Sequence, residues 1–336
     1  MSAQVTQAGE TNSAVDSFGR TIDYLRISVT DQCNERCLYC RPATYRGWSP
    51  RPNHLTAREI IEVTQAAARM GFRHFRITGG EPLLRPDLLE IANGLASLPD
   101  LQTLSLSTNG TRIAPLAQAL RQAGIQSVNL SLDALQPDLY RQITGGSFDE
   151  FLEGFRAVLR ADFTTVKLNC VLLRGLNEPE LRPLARFAAE HHVPIRFIEL
   201  MPLSLLQPTR EHLFLSVAEA KEILGGESTH QPLPDHRPGH GPARYFHDAN
   251  SGATLGFIGA LTTPDFCASC NKLRLTADGK IRPCLGRHGE IDLREAMRQG
   301  TAGAGELLRQ ALANKPQDHE FTRGYEPARP MTALGG

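Results

Sequence analysis

Between Asp23 and Met201, short apolar-rich runs alternate with longer segments whose apolar residues fall three and four apart. The short runs are DYLRISVT (23–30), FRHFRITGG (72–80), LQTLSLSTNG (101–110), IQSVNLSLDA (125–134), TTVKLNCVLL (164–173) and VPIRFIELMP (193–202). Their length and β-branched content predict strands. The Ala- and Leu-rich segments between them predict helices. In the first, TAREIIEVTQAAARMG, Thr56 is the expected N-cap and Glu59 its capping-box partner. Ile60, Val63 and Ala67 form an apolar stripe, and Gly71 ends the helix. Such alternation implies right-handed βαβ units and a parallel sheet. Six units in this span predict an α/β fold, a curved sheet or partial TIM-type barrel with fewer than eight repeats.

After Pro202 the alternation stops. Residues 203–250 are rich in Pro, His and Gly, with SVAEAKEIL (216–224) reading as a helix. GATLGFIG and NKLRLTADGKIRPC follow, and Ala-Asp-Gly-Lys between the apolar runs of the latter predicts a hairpin. The expected division is a disordered lead-in over 1–20, a barrel over 21–202, a smaller C-terminal module over 203–325, and a tail over 326–336 ending in Gly335-Gly336.

The unusual residues collect where the predicted strands end. TDQCNERCLYC, GGEP (79–82), STNG (107–110), SLDA (131–134) and ELMP (199–202) each close a strand. In α/β barrels that rim carries the active site. Turn chemistry explains any one such Gly or Asn, but five strings converging on one rim point to a site. Charges also lie inside the strands. Tyr24, Arg26, Ser28 and Thr30 share one face, as do His74, Arg76 and Thr78, and Lys167 and Asn169. Buried parallel strands normally read apolar. Arg26, Arg76 and Lys167 inside a barrel therefore need negative partners. The readings are a bound anion, with phosphate suiting Arg forks and a Lys point charge, internal ion pairs with Glu81, Asp133 or Glu199, or side chains snorkelling at the rim. The set as a whole favours the anion.

Composition narrows the class. The chain has 336 residues, 41% apolar, and zero formal net charge. That suffices for a real core. It argues against a nucleic-acid or membrane-surface protein. No run approaches the length of a membrane span, and the polar N-terminus lacks the apolar stretch of a signal peptide. A cytoplasmic location is expected, where thiols stay reduced. Six of the seven cysteines form two triplets: Cys33, Cys37 and Cys40, then Cys267, Cys270 and Cys284. Cys170 lies on the strand face opposite Lys167 and reads as a buried small hydrophobe. Three thiolates leave one iron of a [4Fe–4S] cube open. A structural zinc would want a fourth ligand, for which His54 is a candidate.

Cys33-x3-Cys37-x2-Cys40, with Tyr39 before the last cysteine, resembles the signature of the radical S-adenosylmethionine (SAM) superfamily, and GGEP resembles its second motif, which meets the SAM amino group. GPARYF (241–246), FCASCNKLRLTADGKIRPCLG (266–286), EIDLR (290–294) and the final Gly-Gly make the chain similar to the GTP 3′,8-cyclase family of molybdenum cofactor biosynthesis. The resemblance covers about Asp23 to Gly336. It implies a partial (βα)6 barrel, two [4Fe–4S] clusters and SAM as cofactors, and GTP as substrate. A 5′-deoxyadenosyl radical would take the 3′ hydrogen of GTP, the sugar radical would attack C8, and reduction would complete the product.

By resemblance, Cys33, Cys37 and Cys40 hold the SAM cluster, with Arg26 and Lys167 also counted catalytic. Tyr39, Gly80, Ser131 and Met201 contact SAM. Arg26, Arg76, Ser107 and Lys167 bind GTP, joined by Lys272, Leu273 and Arg274. Cys267, Cys270 and Cys284 hold a second cluster at the guanine end. The family usually has arginine where this chain has Lys272. A homodimer, flavodoxin or ferredoxin as reductant, and cyclic pyranopterin monophosphate synthase as recipient of the product are further implications. The alternatives are a radical SAM enzyme acting on a peptide, and a non-catalytic iron–sulfur or zinc scaffold.

Overall fold

The structure is a computed structural model that describes residues 14–41, 53–203, 210–234 and 240–335. All six expected strands are present: β1 (Tyr24–Ser28), β2 (His74–Thr78), β3 (Thr103–Thr108), β4 (Ser127–Ser131), β5 (Thr165–Val171) and β6 (Ile195–Ile198). They pair in parallel, in sequence order. Each is shorter than its apolar run because the polar strings at the C-terminal ends turn away as loops. Helices fill every connection between them. The helix Ala57–Arg69 begins as expected, with Thr56 and Glu59 capping each other. Such a cap is worth about 1 kcal/mol. Leu25, Ile27, Phe75, Ile77, Leu104, Leu106, Val128 and Leu130 are fully buried and form one side of the sheet's core. The alternate residues face the barrel interior.

The region after Pro202 does not build a sheet of its own. Its strands are β7 (His230–Pro232), β8 (Arg244–Asp248), β9 (Thr254–Ile258), β10 (Lys272–Leu275), β11 (Lys280–Arg282) and β12 (Ile291–Asp292). β9 pairs in parallel with β6, and β10 in parallel with β1. One twelve-stranded sheet results, in the order β12-β11-β10-β1-β2-β3-β4-β5-β6-β9-β8-β7. The added strands cover both edges of the six-stranded unit, which would otherwise present unpaired backbone. β10 and β11 form the expected hairpin.

Residues 14–20 correct the expectation of a disordered lead-in over 1–20. Ala14 and Ile22 are buried, and Val15 bridges Thr21. Arg20 binds Asp16 at 2.6 Å and donates to the carbonyls of Cys267, Pro316 and Gln317. Polar composition hid this because Arg20 finds its partners nearly 300 residues away. Residues 1–13 lie outside the described residues. Among the described residues no helix is long and apolar enough to cross a membrane.

Candidate active site

The loop that leaves β1 carries Cys33, Cys37 and Cys40, and the GGEP, STNG and SLDA strings brace it. Backbone N–H groups of Gly80 and Glu81 donate to the carbonyls of Thr30 and Gln32, each at 2.7 Å. A Cβ on Gly80 would stand 2.3 Å from Gln32 O, and one on Gly79 2.5 Å from Thr30 O. Close backbone approach therefore requires glycine at both positions. Asn109 donates to Asn34 Oδ1 at 3.0 Å, and Asn34 donates to Thr111 Oγ1 at 2.8 Å. Tyr39 Oη donates to Asp133 Oδ2 at 2.8 Å, and Tyr140 Oη to Glu35 Oε1 at 3.0 Å. His54 is turned to Asp31, with Nε2 3.1 Å from Oδ1.

The seven cysteines are all free thiols. Among the described residues no group of three or more His, Cys, Asp or Glu side chains is placed to hold a single ion. A cube asks for a different arrangement, one thiolate on each of three irons. Backbone donors aim at the sulfurs. Glu35 N–H meets Cys33 Sγ at 3.4 Å, and the Thr332 N–H donates to Cys40. Cys267, Cys270 and Cys284 each receive a backbone N–H, from His319, Lys272 and Gly286 respectively. Five of the six sulfurs thus have donors that favour thiolate, and both triplets fit a cluster on that ground. Burial pushes Cys40 up to about 12, and Cys33 and Cys37 are also raised. A coordinated metal reverses that cost by deprotonating the thiol outright.

The two triplets lie at opposite ends of the sheet. Cys33 follows β1, whereas Cys267 and Cys270 precede β10, whose Lys272 is level with Tyr24. β1 rises roughly 13 Å between its first and last residues. A row of cations crosses the interior between the two ends, because Arg274, Arg26 and Arg76 are in register on neighbouring strands. Lys167, level with Asn129, and Arg196, level with Asn169, continue the cationic lining on β5 and β6.

The cations repel one another. Burial first, then Arg274 and Arg76, holds Arg26 well below the ordinary arginine value. Burial, then Arg196 and Arg76, pushes Lys167 down to about 6. Burial also takes Lys272 to about 8 and Arg274 to about 10. Arg76 donates to Tyr24 Oη at 2.6 Å and Ser107 Oγ at 3.1 Å, and Arg196 to Asn169 Oδ1 at 2.8 Å. These partners are neutral. The carboxylates considered as ion-pair partners serve loops instead. Glu81 accepts from Leu83 N, Asn109 N and Thr108 Oγ1, and Asp133 from Val171 N and Tyr39. Glu199 accepts from the backbone of Val217, Leu261 and Thr262.

The residues therefore place two cluster-compatible thiol triplets at opposite ends of a cation-lined interior. The radical SAM superfamily model matches residues 27–188, and the Molybdenum Cofactor Synthesis C model matches 193–321. The chain is 39% identical to a GTP 3′,8-cyclase of Desulforamulus reducens, over 96% of this chain and 100% of that one. It is 41% identical to one of Moorella thermoacetica, over 96% and 99%. The chain belongs to the GTP 3′,8-cyclase family. Among solved structures, Streptococcus suis SuiB bound to its precursor peptide SuiA matches with TM-score 0.61 at 14% identity, over 92% of this chain and 68% of that one. That likeness shows the fold alone.

Against this family background, most residues singled out in the sequence do converge. Arg26, Arg76, Ser107, Lys167, Lys272 and Arg274 lie on the interior faces of neighbouring strands. Tyr39, Gly80 and Ser131 sit at the C-terminal rim. Met201 packs partly buried against Leu203, Phe321 and Tyr325. Leu273 differs: it is fully buried in the main core, on the strand face opposite Lys272 and Arg274, so only its backbone runs along the pocket. Cys170 is buried and accepts from Asn177 Nδ2 at 3.5 Å, apart from both triplets. Lys272 donates to Asn271 Oδ1 and His240 O, at 2.5 and 3.3 Å.

Sequence reading missed Arg196. Its signal was present: a lone arginine in an otherwise apolar strand. Space for it comes from Gly256 on β9, where a Cβ would stand 2.8 Å from Arg196 Cγ. The tail also enters the site. Arg274 donates to Gly335 O at 2.6 Å, and a Cβ on Gly335, whose φ is +77°, would lie 2.8 Å from Thr78 Cγ2. Gly336 lies outside the described residues. Gly335→Val is expected to lower kcat roughly 10- to 100-fold, the range of 1–3 kcal/mol of local strain, while the melting temperature stays near that of the parent. Steady-state kinetics beside a thermal melt checks both.

Proposed function

We infer that this chain is a radical SAM GTP 3′,8-cyclase, converting GTP to (8S)-3′,8-cyclo-7,8-dihydroguanosine 5′-triphosphate in the first step of molybdenum cofactor biosynthesis. The observation that carries the reading is the in-register row of mutually repelling cations between two thiol triplets. A cluster on Cys33, Cys37 and Cys40, with SAM, supplies the 5′-deoxyadenosyl radical that takes the 3′ hydrogen. Tyr39, Gly80, Ser131 and Met201 line the SAM side. Arg26, Arg76, Ser107 and Lys167 take the nucleotide, with Lys272, Arg274 and the Leu273 backbone towards the second triplet. Cys267, Cys270 and Cys284 hold a second [4Fe–4S] cluster at the guanine end. A homodimer, cytoplasmic location, flavodoxin or ferredoxin as electron source, and delivery to cyclic pyranopterin monophosphate synthase rest on the family resemblance.

The reaction balances: one hydrogen leaves C3′, the C3′–C8 bond forms, and one electron and one proton enter the imidazole ring. The product is therefore an isomer of GTP. Anaerobic incubation with SAM, dithionite and 3′-deuterated GTP is expected to give that isomer and deuterated 5′-deoxyadenosine by mass spectrometry. Cleavage of SAM with no nucleotide product would refute the reading.

A pH dependence follows from Lys167. Its pKa near 6 in the open pocket leaves it mostly neutral at pH 8. A triphosphate favours the charged form and raises that pKa. Binding then takes up a proton, and affinity falls as pH rises above 6, by at most about tenfold per pH unit. Calorimetry at pH 8 in buffers of different ionisation enthalpy is expected to show proton uptake that falls by nearly one proton in Lys167→Met, the remainder coming from Lys272 with its pKa of about 8. Identical uptake in both proteins would exclude Lys167.

A further inference from the structure

Three cationic side chains bind the backbone around the second thiol triplet and differ in one respect, while Lys272 and Arg274 of the cationic row act on its sulfurs through space. Arg20 donates to Cys267 O but is paired with Asp16 at 2.6 Å. Arg282 donates to Cys284 O but is paired with Glu290 at 2.9 Å. Each therefore brings no net charge. Lys315 follows the helix Ala304–Ala313 and is only 3% exposed. Its Nζ donates to Lys272 O at 2.9 Å and Pro283 O at 2.8 Å. The same ammonium hydrogen-bonds the Cys270 sulfur and acts on Cys284 through space. Its three N–H bonds are thereby used. They tie the residue two past Cys270 to the residue before Cys284, which closes the triplet's long span. None of the ion pairs among the described residues includes Lys315.

A buried ammonium with only carbonyls and a thiol for company is costly. It becomes favourable once the sulfurs carry negative charge. The first triplet is surrounded differently: Glu35, Glu81 and Asp133 face its sulfurs, with Arg41 beside Cys40. Cluster potentials follow net charge and hydrogen bonds to sulfur. We propose that Lys315 is the built-in counter-charge of the second triplet, a tuning residue that donates to Cys270 and raises the reduction potential of the cluster held there. The proposal rests on the second-cluster reading above. A nearby cation stabilises the reduced, more negative cluster, so Lys315 favours keeping the electron at the substrate's base end.

The test uses the full chain with Cys33, Cys37 and Cys40 replaced by alanine, so that only the second site can take iron. Iron and sulfide are counted after anaerobic reconstitution, then the midpoint is read by EPR-monitored redox titration. Lys315→Met and Lys315→Gln are expected to disfavour reduction about tenfold, or about 59 mV for one electron. Lys315→Arg should recover more than half of that shift. Should the methionine variant fail to hold iron, the glutamine variant, which keeps a donor, gives the reading. An unchanged midpoint in either neutral variant that retains its iron overturns the proposal. So does an arginine variant shifted as far as methionine, because the role would then be shape and not charge. A parent background with no iron at all sinks the second-cluster reading, and this proposal with it.

Discussion

Gly80→Ala is expected to strip iron from the first triplet and to abolish turnover, while the second triplet keeps its iron. The added Cβ would meet Gln32 O at 2.3 Å, Asp31 O at 2.7 Å and Gln32 C at 2.7 Å. All three are main-chain atoms, so no side-chain rotation relieves the clash. The chain at 31–32 must retreat by about 1 Å to reach ordinary contact, and it leads straight into Cys33. It cannot retreat cheaply, because Gly80 and Glu81 are hydrogen-bonded to the same stretch. A 1 Å misplacement costs catalysis roughly 100-fold even when the reacting groups survive. Here a proposed cluster ligand itself moves. Gly303→Ala is the control: nothing lies within 4 Å of its added carbon. Iron and sulfide per chain after anaerobic reconstitution, read beside SAM cleavage, decide the matter. Full iron and full cleavage in Gly80→Ala would show that the loop has slack not apparent in the close backbone contacts.

The glycine motif was legible in the sequence as a rim feature, but its physical cause was not. Sequence spacing places GGEP after a strand. Only the fold shows that the strand end lies against the thiol loop closely enough to exclude a methyl group. The six barrel strands were legible for a simple reason: buried parallel strands are apolar runs, and their interior faces betray themselves by stray cations such as Arg26, Arg76 and Lys167. The pairing of β10 with β1 joins residues nearly 250 positions apart, and no local pattern encodes that. Separation hid Arg20, with partners 247 to 297 positions away, and, over the shorter span of 32 to 43 positions, Lys315. Each sits in a polar stretch that looks solvated, and each finds its partners in a remote loop. Leu273 is a case of another kind, kept for its backbone alone. Alternation along a strand already turns it away from its neighbours Lys272 and Arg274. The family resemblance names the three as one stretch, and the two-residue period leaves the backbone as the part of Leu273 that reaches the interior.

Arg76→Met is expected to raise the KM for GTP by two to three orders of magnitude and, at the same time, to raise the melting temperature of the nucleotide-free protein. The first effect follows from position. Arg76 stands in the middle of the cationic row, buried, oriented by Tyr24 and Ser107. Truncating one partner of a buried hydrogen-bonded charge pair costs about 2–5 kcal/mol. The second effect follows from repulsion. Arg76 depresses the ionisation of Arg26, Lys167 and Lys272, so the open pocket holds several cations against their mutual field. Removing the central one relieves it, while the methionine retains much of the buried stem. Stability and substrate affinity should therefore move in opposite directions, as expected where a site stores electrostatic strain for its ligand. Arg76→Lys keeps charge but loses the planar fork, so its KM should fall between the two. Raised salt should narrow the KM gap only modestly, since buried charges are poorly screened. A nucleotide-free Arg76→Met protein that melts below the parent would mean the guanidinium serves to hold β1 to β3, and the polyanion reading of the row would lose its central member.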